Sequence, residues 1–361
     1  MERLATWPAP ARSIDAARAF LRAERPGAPL IVPDGDADGL SSALLVQRTL
    51  ERLGRRPGIL HPGKGEHVHT PAVREAVRAL SPAAVVVLDM GSRGAPLDLG
   101  APALVVDHHR PVRGLPPDAL VVSPFVAAQV EEPIANTSWL AFAVCDGVVD
   151  CGDLAWLAVL GTVGDLGADA PLPGVRDLVR RLGVTAVREA VALVNAPRRH
   201  GSHDVAAAYA VLQRAQGPAD IARGRVPGVD TLERYRVEVR AEVDRCARTR
   251  PAFAGDVALL AFRSSAKVHP LVAQRWTRRL SGSIVLAANY GYLPGRVNFV
   301  VRSARPLDLL AWLHGLGVPL EGDAGYGHAR ATGGSLPPER FAELLAAAGF
   351  GPGAREPVAP I

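Results

Sequence analysis

The chain has 361 residues, 48% of them hydrophobic and 21% charged, with a net charge of +5. That length suits two domains of ordinary size, and the balance is that of a soluble globular protein rather than a disordered or fibrous one. No uncharged apolar run approaches the roughly 18 residues of a membrane span; the opening Met1-Glu2-Arg3-Leu4-Ala5 lacks the basic-then-apolar order of a secretory leader; and three cysteines without metal-type spacing read as free thiols of a reducing cytoplasm.

An amphipathic helix is predicted over 13–25. It leads into the apolar run Leu30-Ile31-Val32-Pro33, which ends in Asp34-Gly35-Asp36-Ala37-Asp38-Gly39. A helix follows over 41–53, with Ser41 and Ser42 as candidate caps, and another over 70–80, with Pro71 at a tolerated first-turn position. Strands are predicted at 83–89, 103–107 and 119–123. The second of the four β-branched runs ends in Asp89 and the third in Asp107-His108-His109. Residues 136–161 read as mostly helical, then comes the loop Gly161-Thr162-Val163-Gly164-Asp165-Leu166-Gly167-Ala168-Asp169, and further helices cover 174–194 and 204–215. Glycines and prolines over 216–228 read as a linker, continued by a charged helix over 230–250. Beyond it, strands are expected at 256–262, 283–289 and 296–302, and helices at 270–280, 307–315 and 337–348. The domain organisation is therefore 1–215, a connecting segment 216–250, and 251–361. The fold class is α/β: a parallel-sheet N-terminal domain, then a smaller α/β domain, with a substrate cleft between them.

Charge is unevenly spread. Residues 221–305 hold 16 Arg or Lys against 6 Asp or Glu, leaving 25 basic and 30 acidic residues elsewhere. An acidic part followed by a basic part suits a phosphate-rich substrate; frequent arginines on solvated helix faces would give the same count.

In a parallel sheet the carboxyl ends of the strands share one edge, where ligands bind. Carboxylates converging there repel one another, and imidazoles beside them stay poorly solvated, unless a cation joins them; a pair of divalent ions answers that need economically. Asp34, Asp36 and Asp38 alternate, so an extended backbone would aim them alike. A calcium-binding EF-hand is excluded because its twelfth position here is Leu45 rather than Glu. His108 and His109 would face opposite ways in an extended segment, and Asp107 can fix a histidine tautomer from behind. Asp165 supplies a remaining ligand, His67 and His69 read as solvated loop residues or substrate contacts, and the 5% aromatic content leaves no evident base-stacking platform.

Together, Asp34-Gly35-Asp36-Ala37-Asp38-Gly39, Asp89, Asp107-His108-His109 and Gly161-Thr162-Val163-Gly164-Asp165 resemble, in order and spacing, the motifs of the DHH phosphoesterases. The segment Gly327-His328-Ala329-Arg330-Ala331-Thr332-Gly333 is similar to the signature of the DHH-associated C-terminal domain, with Tyr326 where that signature has its first glycine. Leu30 stands where several small-nucleotide members carry a histidine, which brings the chain nearer the RecJ-like branch.

The resemblance implies two Mn²⁺ ions, with Mg²⁺ as the alternative. Asp89 would bridge them, Asp36, His108 and Asp165 would complete one site, and Asp34 and Asp38 would serve the other. Asp107 would orient His108, and His109 would contact the scissile phosphate. Gly327, His328, Gly333 and Gly334 would cradle substrate phosphates, helped by Arg275, Arg302 and Arg305. The implied function is a cytoplasmic exonuclease on single-stranded DNA or RNA, working from the 5′ end to mononucleotides. The alternatives are a short-oligonucleotide hydrolase, a phosphatase of bisphosphorylated adenosine, a cyclic-dinucleotide phosphodiesterase, or an inactive nucleic-acid-binding module. Retention of every motif acid and histidine argues against the last.

Overall fold

The computed structural model describes residues 7–111, 113–127, 130, 132–320, 326–328 and 331–351. In chain order the first elements are α1 (Ala11–Arg22), β1 (Pro29–Pro33), α2 (Ala37–Arg52), β2 (Gly58–Ile59), α3 (Pro71–Ala79), β3 (Ala84–Leu88), β4 (Ala103–Val106) and β5 (Ala119–Val122). Then come α4 (Thr137–Asp146), α5 (Ala155–Leu166), α6 (Val175–Leu182), α7 (Val184–Val194), α8 (Ala196–Arg199), α9 (Val205–Arg214), α10 (Pro218–Ala222) and α11 (Val229–Cys246). The remaining elements are β6 (Ala252–Ala254), β7 (Val257–Phe262), α12 (His269–Thr277), β8 (Ile284–Asn289), β9 (Val297–Ser303), α13 (Leu309–Gly315), β10 (Tyr326–His328), β11 (Ala331–Leu336) and α14 (Pro338–Ala347).

The chain divides into two compact units, one of Met1–Arg198 and Asp204–Glu233, the other of Arg199–His203 and Arg234–Ile361. The stretch 216–228, expected to be linker, instead contains α10 and buries Pro218 and Ile221. Its glycines and prolines punctuate short helices, and the passage between units falls inside α11.

In the first unit, five parallel strands stand in the order β2-β1-β3-β4-β5. The runs are β-branched and buried on both faces, as strands covered on both sides must be. Alternation splits them between two cores. Ile31, Val86, Leu88, Leu104 and Val106 pack with α1, α2, α4 and α5. Leu30, Val32, Val85, Val87 and Val105 pack with Val73 and Val77 of α3. Among the described residues, no helix is long and apolar enough to cross a membrane.

The second unit is a six-stranded sheet, β10-β11-β9-β8-β7-β6, antiparallel except for β7 beside β8. That parallel pair needs a crossover, which α12 supplies. One face packs Leu259, Leu286, Phe299 and Val301 on α13 and α14. The other packs Leu260, Val285, Ala287 and Val300 on α11 and α12.

Gly333 shows how closely the strands of this sheet pack: a Cβ there would stand 2.3 Å from the Phe299 carbonyl oxygen. Gly333→Ala is therefore expected to destabilise the protein by about 1–3 kcal/mol in denaturant unfolding. Gly282→Ala, where a Cβ meets nothing within 4 Å, should be near neutral.

Candidate metal centre

The centre begins with the sheet register. Pro33 pairs with Leu88 and Leu88 with Val106, so β1, β3 and β4 end level. The ladder runs one residue further: Asp34 N donates to Leu88 O at 3.0 Å, Asp89 N to Val106 O at 3.0 Å, and Asp107 N to Val122 O at 3.1 Å. Asp34, Asp89 and Asp107 thus leave the sheet side by side. Asp89 does so in the left-handed region, with φ of 61°, a strained conformation that recurs at functional sites.

The alternating acids do not share one extended face. Helix α2 starts at Ala37, earlier than expected, because Asp36 caps it: Asp36 Oδ1 accepts from Asp38 N at 3.0 Å and Gly39 N at 3.1 Å. Ser41 and Ser42, expected as caps, are buried inside the helix, and Ser42 Oγ donates to Asp38 O at 2.7 Å. Gly39 permits the tight turn, since a Cβ there would lie 2.4 Å from Asp34 O.

Asp38 is buried at the head of α2, where neutral donors hold it. Asn136 Nδ2 donates to Oδ1 at 2.6 Å, Ser138 N to Oδ1 at 2.7 Å, and Thr137 N to Oδ2 at 2.9 Å. Thr137 Oγ1 also donates to Asp89 Oδ1 at 2.9 Å, and Thr162 Oγ1 to Asn136 Oδ1 at 2.8 Å. Nothing in the sequence marks Asn136, Thr137 and Ser138, because they open a helical stretch and no local pattern ties them to the remote Asp38 and Asp89.

Asp165 lies in the last turn of α5 rather than in a loop. The two glycines of its motif, expected in a loop, are instead points of close helix packing. A Cβ on Gly161 would meet Ser138 Oγ at 2.2 Å and Asp38 Oδ1 at 2.7 Å, and one on Gly164 would meet Ala37 Cβ at 3.0 Å. This approach brings Asp165 Oδ2 to 3.3 Å from His108 Nε2, which also lies 3.5 Å from Asp89 Oδ1 and 4.0 Å from Asp38 Oδ2.

The two histidine rings do not face opposite ways: their centroids are 4.5 Å apart, because the backbone bends at His109 on leaving β4. Asp107 accordingly holds His109, not His108. Its Oδ1 lies 2.8 Å from His109 Nδ1 and accepts from His109 N at 3.1 Å, while its Oδ2 accepts from Ser92 N at 2.9 Å.

Among the described residues, three groups bring one ligand atom per residue within 4.8 Å of one another: Asp34–Asp36–Asp89, Asp38–His108–Asp165 and Asp89–His108–His109. Asp89 belongs to two of them, as a bridging carboxylate would. Asp36 and Asp38 are exchanged relative to the expected ligand sets. Carboxylate oxygens with an imidazole nitrogen suit Mn²⁺ or Mg²⁺. Nothing in the sequence marks Arg198, one arginine among many, whose Nη2 donates to Asp34 Oδ2 at 2.6 Å and whose Nη1 donates to Asp36 Oδ2.

Burial and mutual repulsion divide these groups. Burial raises Asp89 well above the carboxylate range, and Asp38, Asp36, Asp34 and Asp107 push it further. Burial, with Asp165 and Asp36, lifts Asp38 to about 7. Against the same burial, Arg198 and the Gly39 amide bring Asp36 to about 2, and the two histidines and Ser92 bring Asp107 to about 2. The His109 ring is half-exposed, and against a partial desolvation Asp107 above all raises it to about 9, so it is a cation at neutral pH.

Of the other expected contacts, His67 and His69 are half-buried rather than solvated. Burial, with Arg93 and His67, drives His69 down to about 4. In the second unit, Arg275 pairs with Asp244 and Arg305 with Asp256. Arg302 is half-buried, its Nε without a hydrogen-bond partner, and burial lowers its pKa. Gly327 pairs with Thr332, Gly333 with Val300, and Gly334 with Phe299; the His328 side chain lies outside the described residues.

The protonation pattern sets a pH dependence. In the metal-free fold Asp38 and Asp89 bind protons more tightly than in the unfolded chain, so their contribution to stability falls as pH rises from about 4 through 7. An entering divalent ion must displace those protons. Mn²⁺ affinity is expected to rise between pH 6 and 8, with proton release at pH 7 read as a buffer-dependent heat in calorimetry. Asp89→Asn should diminish that release, and a heat independent of buffer would contradict the reading.

No family model matches the sequence, and no curated protein matches it. Solved structures do. RecJ in complex with Mn²⁺ from Thermus thermophilus is 22% identical with a TM-score of 0.67, over 96% of this chain and 56% of that one; the protein thus spans little more than half of that relative. A structure of exonuclease RecJ bound to manganese is 22% identical with a TM-score of 0.68, over 98% of each chain. The DHH domain of a member of a ribosomal-protein family is 14% identical with a TM-score of 0.64, over 93% of this chain and 88% of that one. Strand order, the two-sheet architecture and these likenesses together give the protein the RecJ-like DHH fold.

Proposed function

We propose that this protein is a cytoplasmic metal-dependent phosphodiesterase that removes mononucleotides from single-stranded nucleic acid, starting at the 5′ end. One observation carries the reading: three adjacent strand ends and the last turn of α5 converge on two groups of metal-ligand type, with Asp89 and His108 between them. Exonuclease activity is carried over from the similar structure of exonuclease RecJ bound to manganese, and 5′ polarity from the motif resemblance. The two similar RecJ structures hold manganese, a further structure of RecJ from Thermus thermophilus holds Mg²⁺, and we assign Mn²⁺ as the preferred ion here. Three buried free cysteines fit a reducing compartment.

Asp38, His108 and Asp165 would hold one ion, and Asp34 and Asp36 the other, with Asp89 shared. Bound there, the ions would supply an activated water and charge compensation for an in-line displacement at phosphorus. The chain's own groups do the rest. The Asn136–Ser138 amides and the Thr137 hydroxyl fix the Asp38 and Asp89 carboxylates, so the ligands need not reorganise. His109, kept protonated by Asp107, has its ring half-exposed. It can donate to a phosphate oxygen or return a proton to the leaving 3′-oxygen. Arg302, with its unpartnered Nε beside the glycine-rich β11, is the strongest candidate in the second unit for holding a substrate phosphate. The metal chemistry is thus assigned to the first unit and phosphate binding to the second.

The second reading, a hydrolase of short oligonucleotides, draws on the 5% aromatic content, which offers few surfaces for stacking a long strand. A Mn²⁺-dependent digestion of 5′-labelled single-stranded DNA of about thirty nucleotides, beside matched RNA and a dinucleotide, separates the two. Immediate release of labelled mononucleotide from the long DNA is expected; cleavage of the dinucleotide alone would establish the second reading. Asp89→Ala should lower turnover by about 10³-fold or more, several kcal/mol of lost charge stabilisation. Substantial metal-stimulated activity in that variant would remove Asp89 from the bridging role.

A further inference from the structure

The two ligand groups differ in what already holds them. Asp38 takes its hydrogen bonds from neutral donors. Asp34 and Asp36 are joined by a cation, the Arg198 guanidinium of α8, which places one nitrogen on each carboxylate. Both oxygens of Asp36 are therefore engaged, Oδ1 with the first amides of α2 and Oδ2 with Arg198. An ion that used Asp36 through Oδ1 would uncap the helix. One that used Oδ2 must displace Arg198. The Asp34 oxygen facing the same fork is engaged as well.

We propose that Arg198 is a built-in competitor for the divalent ion at Asp34–Asp36–Asp89, making the two metal positions unequal. The Asp38–His108–Asp165 position fills first, because the donors that hold Asp38 there are neutral rather than cationic. The Asp34–Asp36–Asp89 position fills at higher ion concentration, because each ion that enters must release a forked, charge-assisted pair. Metal supply then sets the activity of the protein through the second position. This inference rests on the two-ion reading of the centre.

The test is Mn²⁺ titration of the full chain without substrate, followed by the electron paramagnetic resonance signal of free Mn²⁺. Two dissociation constants are expected, one clearly weaker. Arg198→Gln should tighten the weaker by about tenfold or more, the scale of one charge-assisted hydrogen bond, and leave the tighter unchanged. Arg198→Lys keeps a charge but loses the fork, so it should tighten the weaker constant by less, and it serves as the informative variant if the Gln form does not fold. Asp38→Asn should remove the tighter constant. Two equal constants in the unaltered protein, or an unchanged or weaker second constant in both Arg198 variants, would overturn the inference and leave the two-ion centre standing. Failure to bind any Mn²⁺ would overturn both.

Discussion

The structure of the first unit turns on electrostatic repulsion at one sheet edge. Level strand ends deliver Asp34, Asp89 and Asp107 to one line, and α2 and α5 add Asp36, Asp38 and Asp165. Two like charges 4 Å apart cost about 4 kcal/mol at the effective dielectric of a protein surface, and Asp38, Asp89 and Asp107 are more buried than that. Such a cluster persists only if its carboxylates are answered: Asp34 meets Arg198, and Asp165 lies beside His108. Asp36 caps a helix and meets Arg198. Asp107 holds a histidine cation. Asp38 gathers three neutral donors, and Asp89 is left to keep a proton or accept a metal.

That division explains features with no obvious bearing on chemistry. Gly161 and Gly164 let α5 close onto the head of α2, which sets Asp165 beside His108. The Asn136-Thr137-Ser138 turn presents its polar atoms to Asp38 and Asp89 rather than only to its own helix. The strained backbone at Asp89 is stabilised by the packing on both sides of β3. Rigid elements thus supply each donor, which is what a preorganised centre requires.

The second unit is built on a different principle. Its sheet is mostly antiparallel, and its arginines are dispersed: Arg275 and Arg305 are spent on surface carboxylates, pairs that contribute little to stability. Arg302 differs in being half-buried and incompletely satisfied, a state that favours an anion. The glycine-rich β11 serves first as a strand that can lie against β9 without a side chain in the way.

Much of this was legible from residues alone. Apolar β-branched runs ending in acids determined the parallel sheet and the acids at its carboxyl edge, because burial on both faces demands that composition and strand direction determines where the chain emerges. Motif order determined the RecJ-like DHH fold by resemblance. What tertiary structure decided was which acid meets which partner. Asp36 turned out to be a cap, Asp38 a helical residue and Asp165 the end of a helix, since capping and helix packing overrode the alternation and the expected loop. Asp107 went to His109 because the backbone bends after β4. Arg198, distant in sequence and indistinguishable from other arginines there, acquired its place only when α8 folded against the loop of Asp34 and Asp36: a charge pair between remote segments leaves no local pattern to read.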